Sequence, residues 1–155
     1  MGLYSATTEG ERALTAASTK TMVEIIGATT VKARLVEFGI SFDGTSSVQE
    51  PVLINLKQIT ATSTNAVAAT AMKWDRSSPS AQCGVKVFHT AEPTKTSTPL
   101  ASWEVHPQGG SLVVQYPLGR EPIISDGSTG QGLCLEYVTA SGVNPNCVAY
   151  VVWEE

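Results

Sequence analysis

Residues 31–42 read Val-Lys-Ala-Arg-Leu-Val-Glu-Phe-Gly-Ile-Ser-Phe, and their spacing decides the fold class. Val31, Ala33 and Leu35 alternate with Lys32, Arg34 and Val36, the two-residue period of a half-buried strand. Gly39 inside this stretch predicts a bulge or bend. Beyond it, Asp43-Gly44-Thr45-Ser46-Ser47 is turn chemistry, because Asp and Gly tolerate left-handed backbone angles. The pattern continues on both sides. Upstream, Thr19–Ile26 sets Val23 and Ile25 on one parity against Met22, Glu24 and Ile26, with a turn at Gly27–Thr30. Downstream, Val52, Ile54 and Leu56 alternate with Leu53, Asn55 and Lys57, behind a Pro51 whose missing N–H costs least at a strand start.

Five more strands are predicted at Cys83–Thr90, Leu100–Val105, Leu112–Tyr116, Gly132–Val138 and Val143–Trp153. Turn clusters at Glu92-Pro93, Pro107–Gly110 and Ser125–Gly130 separate them, and Trp74–Gln82 reads as loop. Thr60–Met72 is ambiguous: its Ala-rich core is either a short helix with Thr64 as N-cap or an irregular connection. About eight short strands with turn-separated spacing predict an all-β fold, an antiparallel β-sandwich or jelly roll. The composition agrees. Charged residues make up 15% of the 155, while 18 Thr and 15 Ser favour strands and turns. Neither a repeat nor a linker divides residues 19–155, so they form a single domain of ordinary size. Residues 1–18 are small and polar, offer few anchors, and are expected to form an extended or flexible N-terminal arm.

The charge pattern excludes whole classes of function. Ten Lys and Arg against fourteen Asp and Glu give a net charge of −4, and the basic residues are scattered. Nucleic-acid binding needs clustered cations that displace counterions from phosphates, so no nucleic-acid partner is expected. No apolar run approaches the ~20 residues that cross a bilayer, and the start lacks the pattern of a signal peptide, so no membrane partner or signal-peptide route is expected. Met1-Gly2 meets only half of a myristoylation motif, since Ala6 stands where Ser or Thr is needed.

Chemistry-bearing motifs are sparse. Cys83, Cys134 and Cys147 show no Cys-x-x-Cys spacing and read as buried free thiols. If the last two strands formed a hairpin, Cys134 would face Val151, too far from Cys147 for a disulfide. His89 and His106 lack partners at metal-ligand spacing, and no Gly-x-Ser-x-Gly elbow surrounds a serine. Asp43, Asp75 and Asp126 read as turn formers in preference to calcium ligands. Glu154-Glu155 reads as a solvated end. Neither enzymatic activity nor a cofactor or metal is expected. Arg120, between Gly119 and Glu121, is a candidate for pinning a loop or a neighbouring subunit through a bidentate carboxylate contact. Trp74, Trp103 and Trp153 could stack on sugars, or pack in the core or an interface.

Four segments carry a resemblance: Phe38-Gly-Ile-Ser-Phe-Asp-Gly44, His89-Thr-Ala-Glu-Pro-Thr94, Tyr116-Pro-Leu-Gly-Arg-Glu-Pro122 and Asn146-Cys-Val-Ala-Tyr-Val-Val-Trp-Glu-Glu155. In this order the chain resembles small all-β virion proteins of tailed bacteriophages, from about Val31 to the end. The resemblance implies a non-enzymatic capsid decoration, or cement, protein. Its expected partner is the major capsid protein on the head surface, its expected assembly a homo-oligomer, a trimer first, built in the bacterial cytoplasm. On that reading Leu3, Tyr4, Arg12 and Leu14 of the arm are candidate capsid contacts, Arg120 with Glu121 a subunit contact, and Cys147–Trp153 a core strand. The alternative is a receptor- or carbohydrate-binding module of a tail or head fibre, resting on the three Trp.

Overall fold

Side chains of alternating polarity build two facing sheets, as a computed structural model describing residues 1–125 and 131–155 shows. The strands are β1 (Leu3–Thr7), β2 (Arg12–Ala13), β3 (Thr19–Ile26), β4 (Ala33–Phe42), β5 (Val52–Ala61), β6 (Val67–Ala69), β7 (Met72–Lys73), β8 (Gly84–Val87), β9 (Thr94–Lys95), β10 (Ala101–Val105), β11 (Ser111–Gln115), β12 (Ile123–Ser125), β13 (Gly132–Val138) and β14 (Asn146–Glu154). The first sheet runs β11-β4-β14-β1-β7, with β12 also along β4 and β2 along β14. The second runs β10-β5-β13-β3-β8-β6, with β9 along β5. The recorded pairings are antiparallel, and the described residues contain no helix, so the all-β sandwich is the observed fold. Thr64–Met72 therefore takes neither expected form unaltered, since it contributes β6 and the start of β7. The turn expected at Ser125–Gly130, with Asp126, lies beyond Ser125 outside the described residues.

Inside β4 the alternation inverts. Ala33 and Leu35 are buried on odd positions, then Phe38, Ile40 and Phe42 on even ones. The cause is a bulge: Val152 faces Glu37 while the next residue, Trp153, faces Leu35, so Val36 is extra. The bulge expected at Gly39 thus sits three residues earlier. Gly39 answers a different need, because a Cβ there would overlap the Tyr150 ring that crosses it. A second bulge leaves Met22 extra in β3, and Met22 and Val23 both join the core.

Two sequence expectations are corrected. The segment 1–18 is extended, but it is not an arm. β1 fills the place beside β14, with Leu3 opposite Glu154 and Thr7 opposite Tyr150, and β7 pairs with its other edge. Tyr4 and Ala6 alternate inward from it, a two-residue period too short to stand out among Ser and Thr. Nor do β13 and β14 form a hairpin, because they belong to opposite sheets. Cys147 instead touches Met22 across the core, Sγ to Sδ 3.7 Å, and all three cysteines are free and buried. The core between the sheets takes Val23 and Ile25 of β3, Leu35 and Phe38 of β4, Ile54 and Leu56 of β5, Leu133 and Leu135 of β13, and Val151 and Trp153 of β14. Cys147–Trp153 is the central strand of its sheet, as expected.

Candidate interaction surfaces

The candidate contacts near the N-terminus divide. Tyr4 is buried and stacks on Trp153 with centroids 5.8 Å apart, and its hydroxyl donates to the Pro79 carbonyl at 3.0 Å. Leu14 is buried too, its amide bonded to the Pro145 carbonyl. Both are core groups in the folded chain and offer no surface, a correction of their expected role. Leu3 is half-buried. Arg12 is exposed, with its guanidinium 5.6 Å from the centre of the Phe88 ring. Phe88 holds a left-handed φ of 48°, unusual for a bulky side chain. The C-terminus is likewise tied in: the Glu155 carboxylate accepts the Gln82 and Cys83 amides at 2.6 and 2.9 Å and is not a solvated end.

Arg120 and Glu121 are neighbours with separate tasks. The Glu121 carboxylate accepts the Gly119 amide at 2.7 Å and lies 3.8 Å from Arg34, while the Arg120 amide closes a turn onto the Pro117 carbonyl. The Arg120 side chain is exposed and has no ion pair among the described residues. Along the same stretch of chain lie side chains that sequence reasoning missed. Val113, Leu118 and Ile123 are 62%, 91% and 59% exposed. β11 pairs with residues 37–41 of β4 and β12 with residues 33–34, so all three follow one edge of the first sheet. The available signal was Ser111-Leu-Val-Val-Gln115, a strand with no charge. At the opposite edge, Met72 and Trp74 are exposed beside β1. Trp103 instead packs edge-on against Phe38 and Trp153 stacks on Tyr4, so the three Trp assemble no common platform.

The buried titratable groups bond to one another and to neighbouring backbone. On the outer face of the second sheet, Glu136 of β13 accepts Lys57 at 2.9 Å, Lys95 at 2.6 Å and the Asn55 amide at 3.2 Å. Lys95 also reaches Glu92, which accepts the Thr21 amide and hydroxyl. His89 Nε2 lies 2.5 Å from Glu24 Oε2, both side chains fully buried. Glu24 Oε1 meets no donor at hydrogen-bonding distance, though Thr62 and Ser63 lie near enough to favour its charge. Burial alone would raise the carboxyls of Glu24, Glu92 and Glu136, but the bonds and charges of His89, Lys95 and their neighbours hold all three below the usual carboxylate range. Lys95 is raised in turn: its two carboxylates outweigh its own burial. His106 Nδ1 accepts the Gln108 amide inside its corner. Both histidines thus serve local structure. Asp43 and Asp75 cap turns, accepting the Thr45 and Ser77 amides at 3.0 and 2.9 Å. Burial pushes the three thiols up to about 12, which leaves them unreactive.

No known protein family matches the chain, and no curated protein matches it. Among solved structures it is similar to chains of infectious bursal disease virus. For the Gx strain the identity is 14% and the TM-score 0.26, covering 97% of this chain and 40% of that one. For the Gt strain the values are 16%, 0.26, 98% and 41%. For particles of T=1 symmetry derived from the virus they are 16%, 0.25, 98% and 39%. The chain spans about two-fifths of the length of those chains. At such scores the likeness carries no argument, and the reading of these surfaces rests on the chain's own residues.

Proposed function

We propose that the chain is a non-enzymatic structural protein of a virus particle, specifically a decoration protein on the head of a tailed bacteriophage, bound to the major capsid protein. The observation that carries this reading is the exposure of Val113, Leu118 and Ile123 along one edge of the first sheet, with Arg120 of the same stretch making no ion pair among the described residues. Large apolar side chains left exposed along one sheet edge mark a surface that another protein covers. The rest of the molecule is built for rigidity: two layers packed through one core, with the buried ionisable groups spent on internal bonds.

The segments that resemble phage virion proteins fall at structural positions of the fold. Residues 38–44 are the second half of β4 and its corner, and residues 89–94 supply the Glu92 clamp on Thr21. Residues 116–122 form the exposed loop of the apolar edge, and residues 146–155 form β14 with its Glu155 latch. A trimer is the assembly the resemblance implies. Quantitative mass spectrometry of purified parent particles tests the role. The expected result is this chain at a copy number near that of the major capsid protein. A few copies per particle, or none, contradicts it.

A further inference from the structure

The apolar edge has a backbone as well as side chains. Along β11 the Gly110 carbonyl accepts the Phe42 amide, and the Tyr116 amide donates to the Val36 carbonyl. With Val113 opposite Gly39, the even positions therefore turn their N–H and C=O groups towards β4. Ser111, Val113 and Gln115 direct theirs away from the sheet, along an edge with no neighbouring strand among the described residues. Native sheets normally protect such an edge with Lys, Pro or a bulge. Ser111-Leu-Val-Val-Gln115 has none of these, and its register against β4 is regular.

From this edge we infer that two copies of the chain join by antiparallel pairing of β11 with β11 about a twofold axis at Val113. Antiparallel strands bond through pairs of opposed residues whose amides face each other. A twofold axis at Val113 sets Ser111 against Gln115, Val113 against Val113 and Gln115 against Ser111, so every outward-facing amide and carbonyl of the strand finds a partner. A shift by two residues loses a pair, because Pro117 has no N–H and Gly109, with φ of 78°, has left the strand. The exposed side chains match in the same register. Val113 packs on its own mate, a β-branched cross-strand pair, and Ser111 and Gln115 are polar partners.

This contact is isologous and closed, hence a pair of molecules, neither a fibre nor the trimer that the resemblance implies. It does not rest on the virion reading, but it occupies the β11 part of the same edge, so on a particle the capsid contact would fall to Leu118 and Ile123.

Sedimentation equilibrium and oxidative cross-linking of the full chain test it together. The native protein should show twice 16.3 kDa, and Val113→Lys, which sets like charges face to face on the axis, should return the mass to 16.3 kDa. Val113→Cys should cross-link to itself on mild oxidation, since opposed residues of a bonded pair lie about 5.5 Å apart at Cα, within disulfide reach. Met72→Cys, exposed on the opposite edge, should not. A native mass of 16.3 kDa, a larger assembly that Val113→Lys leaves unchanged, or Val113→Cys cross-linking no faster than Met72→Cys each overturns the inference. Loss of the pair with normal copy number on particles leaves the virion reading standing, and the reverse result leaves the pair standing.

Discussion

At the residue scale the determining group is Glu136. It is almost fully buried on the outer face of its sheet and holds Lys57, Lys95 and Asn55 at once. Removing one partner of a buried ion pair leaves charge uncompensated, so Glu136→Gln is expected to destabilise the fold by roughly 3 kcal/mol. Urea unfolding measures this. Glu121→Gln is the contrast: its 3.8 Å approach to the half-exposed Arg34 should contribute no more than about 0.5 kcal/mol.

The same carboxylates fix the acid response. Glu24, Glu92 and Glu136 are depressed in the folded state, so their contribution is fully present above the unfolded carboxylate value of about 4.3. It is lost as pH falls through their lower folded values. Stability should therefore be level from neutral pH to about 5 and fall below about 4. A thermal melting series that stays level at still lower pH contradicts the network. Little of this was legible in sequence. His89 shows no partner at metal-ligand spacing, and its actual partner Glu24 lies 65 positions away, with no local pattern connecting them. The corner Glu92-Pro-Thr-Lys95 is visible as a motif, whereas its hold on Thr21 and Glu136 depends on strands brought together only by folding.

At the element scale, β1 carries the sharpest difference between expectation and structure. A free arm can be altered without cost to the fold; a strand between β14 and β7 cannot. Tyr4→Ala removes the ring stacked on Trp153 and opens a cavity, with an expected loss of roughly 3 kcal/mol or more. An unchanged denaturation midpoint restores the arm reading. Gly39→Ala drives a methyl group into the Tyr150 ring, with an expected cost of about 1–3 kcal/mol. If Tyr150→Ala recovers part of that loss in a double-mutant cycle, the close approach is its source. Each of the eight strands predicted from alternation is present. Those that were not predicted (β1, β2, β6, β7, β9 and β12) are five residues or shorter. The inverted alternation of β4 shows what the pattern cannot supply. A bulge at Val36 is a property of two strands in register, and only the partner β14 reveals it.

At the scale of the whole molecule, two sheets share one core, and an apolar edge is left over. The sandwich class was legible because strand spacing and turn chemistry report layers directly. Which strand neighbours which was not, since β13 and β14 are consecutive in the chain yet lie in opposite sheets. The candidate contacts followed the same division. Exposed Arg120 was found from its loop context, while Val113, Leu118 and Ile123 became a surface only when β11 and β12 lined up along β4. That edge is where the account of a shell protein meets a physical object. A cryo-electron reconstruction of the parent particle, at a resolution that separates strands, tests it most directly. The account predicts two-layered β density outside the capsid shell, with residues 111–123 covered by a neighbouring protein. A bare shell, or this sandwich present with residues 111–123 facing solvent, contradicts it.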